Sequence, residues 1–179
     1  MYRAVALWAL RAGVDLANAL SLERLAQEAR IEFQDSRVLL NGEDVTAAIR
    51  EPRVSDASSK VSAVPGVRRA MRQEQRRIGI KNSVVMEGRD IGTVVFPEAQ
   101  IKIYLDASPE VRAGRRAKET GAAVARVARE IAERDQRDRS RPEAPLTQAP
   151  DAEYIDSSGL MPEQVEEAIL KIVRRRTSN

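Results

Sequence analysis

The apolar positions along the chain change period several times, and each change marks an element. Residues 3–12 are apolar nearly all round, the pattern of a buried helix, and Gly13 suits its C-terminal cap. The run has no capping residue before it and nothing upstream to cover it. Ser21 can cap a second helix over 22–30, in which Leu22, Leu25, Ala26 and Ala29 share a face. The period then shortens to that of strands. Ile31-Glu32-Phe33 and Val38-Leu39-Leu40 flank a polar link at Asp35-Ser36, and Asn41-Gly42 is a hairpin turn signal ahead of Glu43-Asp44-Val45-Thr46. Residues 31–46 read as a small antiparallel sheet set between helices. Further helices are expected over 54–63 and 66–79, divided near Pro65.

In the second half strands and helices alternate. Ser83-Val84-Val85-Met86 reads as a buried strand, with Gly88-Arg89-Asp90 just beyond its end. Ile101–Leu105 is a second strand, leading into Ser108-Pro109-Glu110, an N-cap with proline at the first helical position. Helices are expected over 109–119 and 122–141, broken at Gly121 and stopped by Pro142, with a proline-bearing loop over 142–151. Glu153–Asp156 is a third strand. A last helix over 162–176 carries Val165, Ala168, Ile169 and Ile172 on one face and Arg174, Arg175 and Arg176 at its negative end. Such alternation predicts an α/β fold with a parallel sheet, which binds ligands beyond the carboxyl ends of its strands.

Composition narrows the chemistry. The 179 residues include no cysteine and no histidine. Thiol catalysis, Cys- or His-ligated metals, and serine–histidine triads are excluded. Carboxylates, arginines, lysines, hydroxyls and backbone amides remain. Six aromatic residues are few for a base-stacking surface, and no nucleic-acid motif is present, so RNA or DNA binding rests on charge alone. Residues 4–10 are too short an apolar run to span a bilayer, so a soluble cytoplasmic protein without a membrane partner is expected.

The net charge of +3 is unevenly placed. Residues 66–81 carry +5 and residues 110–141 carry +4, leaving −6 for the rest. Two basic stretches suit an anionic ligand, or two helices with solvated arginine faces. Arg134, Asp138 and Arg141 stand at i, i+4 and i+7, hence on one helical face. Such a stripe can hold a polyol and a phosphate, or form an exposed ion-pair ladder. Gly88-Arg89-Asp90 offers a close backbone approach, a cation and an acceptor, or a pair that stabilises a turn.

Five blocks go further: Met1–Leu7, Asp56–Ala63, Glu87–Pro97, Ile101–Ser108 and Glu133–Arg141. Together they resemble the bacterial cytidylate kinases, in order and over essentially the whole chain. The resemblance implies a P-loop nucleoside monophosphate kinase-like fold, with a parallel sheet flanked by helices and a small antiparallel CMP-binding insert. The kinase core would comprise 1–30 and 81–179, with a lid at about 112–141, and the insert would be 31–80. It implies transfer of the ATP γ-phosphate to CMP or dCMP with Mg2+, by a monomer that binds no nucleic acid. Arg89 and Arg141 are expected in catalysis, with Arg3 as a further phosphate-binding arginine. Ser59, Arg68 and Asp90 are expected to read cytosine, and Arg134 and Asp138 to hold the sugar. Arg115 and Arg116 would belong to the lid over ATP. No protein metal ligands are expected. None of this requires histidine, because phosphoryl transfer rests on positioning and charge stabilisation.

One family feature is missing from residues 1–179, the phosphate-binding loop G-x-x-x-x-G-K-[ST]. The resemblance places that loop, with a central strand, ahead of Met1. On this reading the chain is N-terminally truncated, catalytically inactive and poorly stable alone, with a slot between the strands at 83–86 and 101–105. The alternative is a non-catalytic fragment or subunit that binds a nucleoside monophosphate.

Overall fold

The computed structural model describes residues 1–81, 83–141 and 144–178 and divides at Val84/Val85 into two compact units. The first unit opens with α1 (Tyr2–Arg11) and α2 (Ala19–Glu28). The cap of α2 is Asn18, whose side chain accepts from the Ser21 N–H; Ser21 lies inside the helix rather than capping it. A three-stranded antiparallel sheet follows: β1 (Ile31–Gln34), β2 (Arg37–Leu40) and β3 (Glu43–Asp44), in that order. Its turns use left-handed backbone at Asp35 and at Asn41-Gly42, where φ is +54°, +52° and +86°. Short polar side chains and glycine tolerate that region. After a 3-10 turn over Ala48–Arg50 come α3 (Pro52–Val61) and α4 (Pro65–Lys81), each opening on proline.

The first helix is not bare. Ala4, Val5, Ala6, Leu7 and Ala9 join Leu22, Ile31, Val45, Val54, Val61, Val67 and Met71 in one core. The cover that an all-round apolar helix needs comes from elements downstream of it, chiefly α3.

The strand expected over 83–86 is not formed. Residues 83–87 form no ladder, and Val85 is fully exposed. An apolar run extends into a strand only when another strand takes up its N–H and C=O groups, and none does so here among the described residues. A π-helical turn, Ile91–Val95, follows. Then β4 (Ile103–Asp106) and β5 (Glu153–Asp156) pair in parallel, Ile103 opposite Glu153 and Asp106 opposite Asp156. Between them lie α5 (Pro109–Thr120) and α6 (Val124–Arg139), and after them α7 (Pro162–Thr177). Ser108 caps α5 through Val111 N–H, and Gly121 closes it at φ +68°. The α/β class and the small antiparallel sheet are as the sequence predicts. Pro142, expected to stop α6, lies outside the described residues; the helix ends at Arg139, with Ser140 as its cap.

Candidate functional site

The second unit gathers charge around one carboxylate. Asp138 lies on the last turn of α6 and is only 5% exposed. Its Oδ1 pairs with Arg141 Nη2; its Oδ2 lies 3.3 Å from Arg89 Nε and 3.9 Å from Arg134 Nε. The helix supplies Arg134 and Asp138 by its i, i+4 spacing. Arg141 follows just past the cap, and the Asp138 carbonyl accepts from Leu146 N–H, fixing the return of the chain. Arg89 arrives from 49 residues earlier, by way of the bend at 88–90. An exposed ladder along one helix does not describe this arrangement: the acid is buried, Arg89 comes from a distant segment and Arg141 from just past the helix cap. Three guanidiniums thus face one carboxylate. Oδ2 is buried and has no hydrogen bond among the described residues. The Arg89 and Arg134 guanidiniums compensate its charge without a well-formed hydrogen bond, so the oxygen keeps the capacity to accept from a ligand hydroxyl.

Asp90, beside Arg89, is 8% exposed. Its carbonyl starts the π-helical turn, accepting from Val94 N at 2.9 Å and Val95 N at 3.2 Å. The room at Gly88 is taken by Ile91: a Cβ there would meet the Ile91 side chain at 2.7 Å. The glycine serves this local packing, rather than the open ligand approach that sequence suggests.

In the first unit the named residues line up along α3. Ser55, Ser59 and Ser62 are spaced i, i+4 and i+7, one stripe of that helix and its cap. Arg3 reaches one end, donating to the Ile49 carbonyl at 3.1 Å and lying 3.4 Å from Ser55 Oγ. Arg68 reaches the other, 3.4 Å from the Ser62 carbonyl and 5.9 Å over the Tyr2 ring, and is only 4% exposed. Ser59, half-buried, stands between them on the stripe.

The two arginines expected in a lid differ. Arg115 is occupied by the turn after β5, donating to Ser157 Oγ (3.1 Å), the Ser157 carbonyl (2.6 Å) and the Leu160 carbonyl (3.3 Å). Arg116 pairs with Glu119 on the surface of α5. At the ends of β4 and β5, loss of solvent and then the Asp106 and Asp156 charges raise the Tyr154 phenol, while Ser158 donors hold Asp156 below the ordinary aspartate value. Among the described residues no group of three or more acidic side chains could cage a metal ion.

A family model described as cytidylate kinase matches residues 1–175. The chain belongs to the cytidylate kinase family. It is 56% identical to a cytidylate kinase of Solibacter usitatus, over all of this chain and 80% of that protein. It is 48% identical to one from Pelotomaculum thermopropionicum, over 95% of this chain and 80% of the other. With one from Lactiplantibacillus plantarum it shares 39% identity, over all of this chain and 82% of that protein. Within this family the structure brings Arg89, Arg134 and Arg141 to Asp138 in the second unit, and sets Arg3, Ser59 and Arg68 along one stripe in the first. The meeting of Arg89 with Asp138 has no signal in local spacing. An ion pair between Arg112 and Asp135 lies beside this cluster, joining residues 23 apart with no signal in local spacing.

Proposed function

We propose that the chain acts as a CMP and dCMP kinase, taking phosphate from ATP to give CDP or dCDP, and that residues 1–179 carry the acceptor side of that reaction. Asp138 carries this reading: a buried carboxylate ringed by three arginines, with one oxygen lacking a hydrogen bond. A carboxylate accepts from sugar hydroxyls, and guanidiniums grip phosphate in a planar fork. Asp138 and Arg134 are assigned to the sugar, and Arg89 and Arg141 to the phosphate and the charge that develops during transfer, with Arg3 as a further phosphate ligand. Arg68, Asp90 and Ser59 are assigned to cytosine, Asp90 as acceptor for its amino group and the other two as donors.

Magnesium enters with the substrate, as MgATP. The lid reading for 112–141, with Arg115 and Arg116 closing over ATP, requires Arg115 to leave Ser157 and Leu160. The division into a core of 1–30 and 81–179 and an insert of 31–80 is kept as part of the same proposal. So are a cytoplasmic location, a place in pyrimidine nucleotide metabolism and a monomeric state. No helix among the described residues is long and apolar enough to cross a membrane.

Residues 1–179 contain no G-x-x-x-x-G-K-[ST], and no residue here is assigned to cradle the ATP phosphates. Nucleotide binding is therefore the readout suited to this chain. Calorimetric titration with CMP, dCMP, UMP and AMP should show CMP and dCMP binding at least about tenfold tighter than AMP, the preference that buried polar contacts to one base provide. Equal affinity for CMP and AMP would contradict the assignment.

A further inference from the structure

We infer that Arg112 and Asp135 form a positioning pair that fixes the height and rotation of α6, and with them the direction in which Arg134 and Asp138 face. This rests on the acceptor-site reading above. Arg112 lies in the first turn of α5. Its Nε donates to the Ala107 carbonyl, just past the end of β4, at 3.1 Å. Its Nη1 donates to Asp135 Oδ2 at 2.6 Å. One guanidinium thus ties the C-terminal half of α6 to the end of the parallel sheet. Asp135 adjoins Arg134 and stands one turn before Asp138. Its side chain is 14% exposed and that of Arg112 is 31% exposed, so water screens the pair only in part.

Packing alone leaves this register weakly specified. The buried residues that α5 and α6 contribute are Ala113, Ala117 and Val127, with Asp138 itself. Alanines make a shallow surface, and helices with few interdigitating side chains can slide or roll at small cost. A roll of one residue turns a helix by about 100°. The planar guanidinium, fixed at two points, supplies the directional constraint that the apolar contacts lack.

The test measures CMP affinity by calorimetry and the unliganded thermal melt for wild type, Asp135→Asn, Asp135→Glu, Arg112→Ala and the double variant Arg112→Ala/Asp135→Asn. Asp135→Asn keeps the volume and removes the charge. It should weaken CMP binding about tenfold, the middle of the usual coupling range, while the unliganded melt moves by no more than about 2 °C. Asp135→Glu, which restores the charge, should recover affinity to within about threefold of wild type. The double variant should bind no more weakly than the poorer single one, since both break the same link. If Asp135→Asn fails to fold, Arg112→Lys takes its place: it keeps the charge, loses the fork and should show the same CMP loss with a native melt. The inference is overturned if Asp135→Asn, or Arg112→Lys in its place, binds CMP like wild type while Asp138→Asn does not. If Asp138→Asn also binds like wild type, the acceptor-site reading falls, and this inference with it.

Discussion

The two units are held together by different means. The first has an apolar core in which Leu7, Leu22, Ile31, Met71 and several valines are almost wholly buried. Its charged site residues lie against groups that core positions, with Arg3 held by a carbonyl and a hydroxyl. In the second unit the buried apolar residues are chiefly small: Ala107, Ala113, Ala117, Ala144 and Ala149 beside Val95, Val127 and Ile155. Leu105 and Tyr154, on its strands, are more than half exposed. There the links that span sequence are polar: Asp138 with Arg89, Arg112 with Asp135, Arg115 with the turn at 157–160, and Lys102 with Asp151. A core defines a shape whether or not ligand is present. A cluster of like charges around one acid is poised for an anion and depends on that acid for its order.

The largest contrast should come from truncating one unit's core. Leu7→Ala should cost the first unit about 3 kcal/mol through lost burial and the cavity it leaves. Hydrogen exchange should quicken in α1 and α3 while α5 and α6 keep wild-type rates; equal quickening in both units would erase the distinction drawn here. Next in size is Asp138→Ala. It strips the shared carboxylate from three guanidiniums, and breaking a buried pair typically costs about 3–5 kcal/mol, reduced here because Arg89 and Arg134 are partly exposed. Loss of protection should centre on α6 and be partly reversed by about 1 M salt, which shortens the screening length. A salt-insensitive loss would show that packing, and not repulsion, had been disturbed.

Arg115→Ala should be milder. It removes hydrogen bonds to Ser157 and Leu160, a net contribution of about 1–2 kcal/mol for groups partly open to water. The first-unit amides should be unchanged and those near 157–160 should exchange faster; if the 157–160 amides are also unchanged, Arg115 does not hold that turn. The smallest effect concerns acid. Lys102 holds the Asp151 carboxyl, and the Ser158 donors hold that of Asp156, below the ordinary aspartate value of 3.8. A depressed folded value means stability that is present above about pH 4 and lost as pH falls through the folded value. Melting temperature should therefore begin to fall only below about pH 4, and Asp151→Asn should flatten part of that fall.

Much of the fold is legible in the sequence because its signals are local. Alternation and Asn41-Gly42 mark the hairpin, Ser108-Pro109 opens α5, and helical spacing identifies α3 to α7. The misreadings come where a partner decides. Val84 and Val85 look like strand until the question is which chain takes their hydrogen bonds. The apolar face of α1 looks bare until helices fifty residues later are placed on it. The site divides in the same way. Arg134, Asp138 and Arg141 are found by helical period. Arg89 joins them, and Arg112 joins Asp135 beside them, through contacts whose sequence separation carries no periodic trace. Family resemblance names both Arg89 and Asp138 all the same, but not their meeting.

The central claim is that the buried oxygen of Asp138 receives the acceptor's sugar. The direct measurement is the calorimetric affinity of wild type and Asp138→Asn for CMP, with inorganic phosphate as the control ligand. The amide keeps the volume but halves the acceptor capacity and removes the charge. CMP binding should be weakened by about tenfold to a hundredfold, with phosphate binding undiminished. Unchanged CMP affinity, or an equal loss for phosphate and CMP, would contradict it.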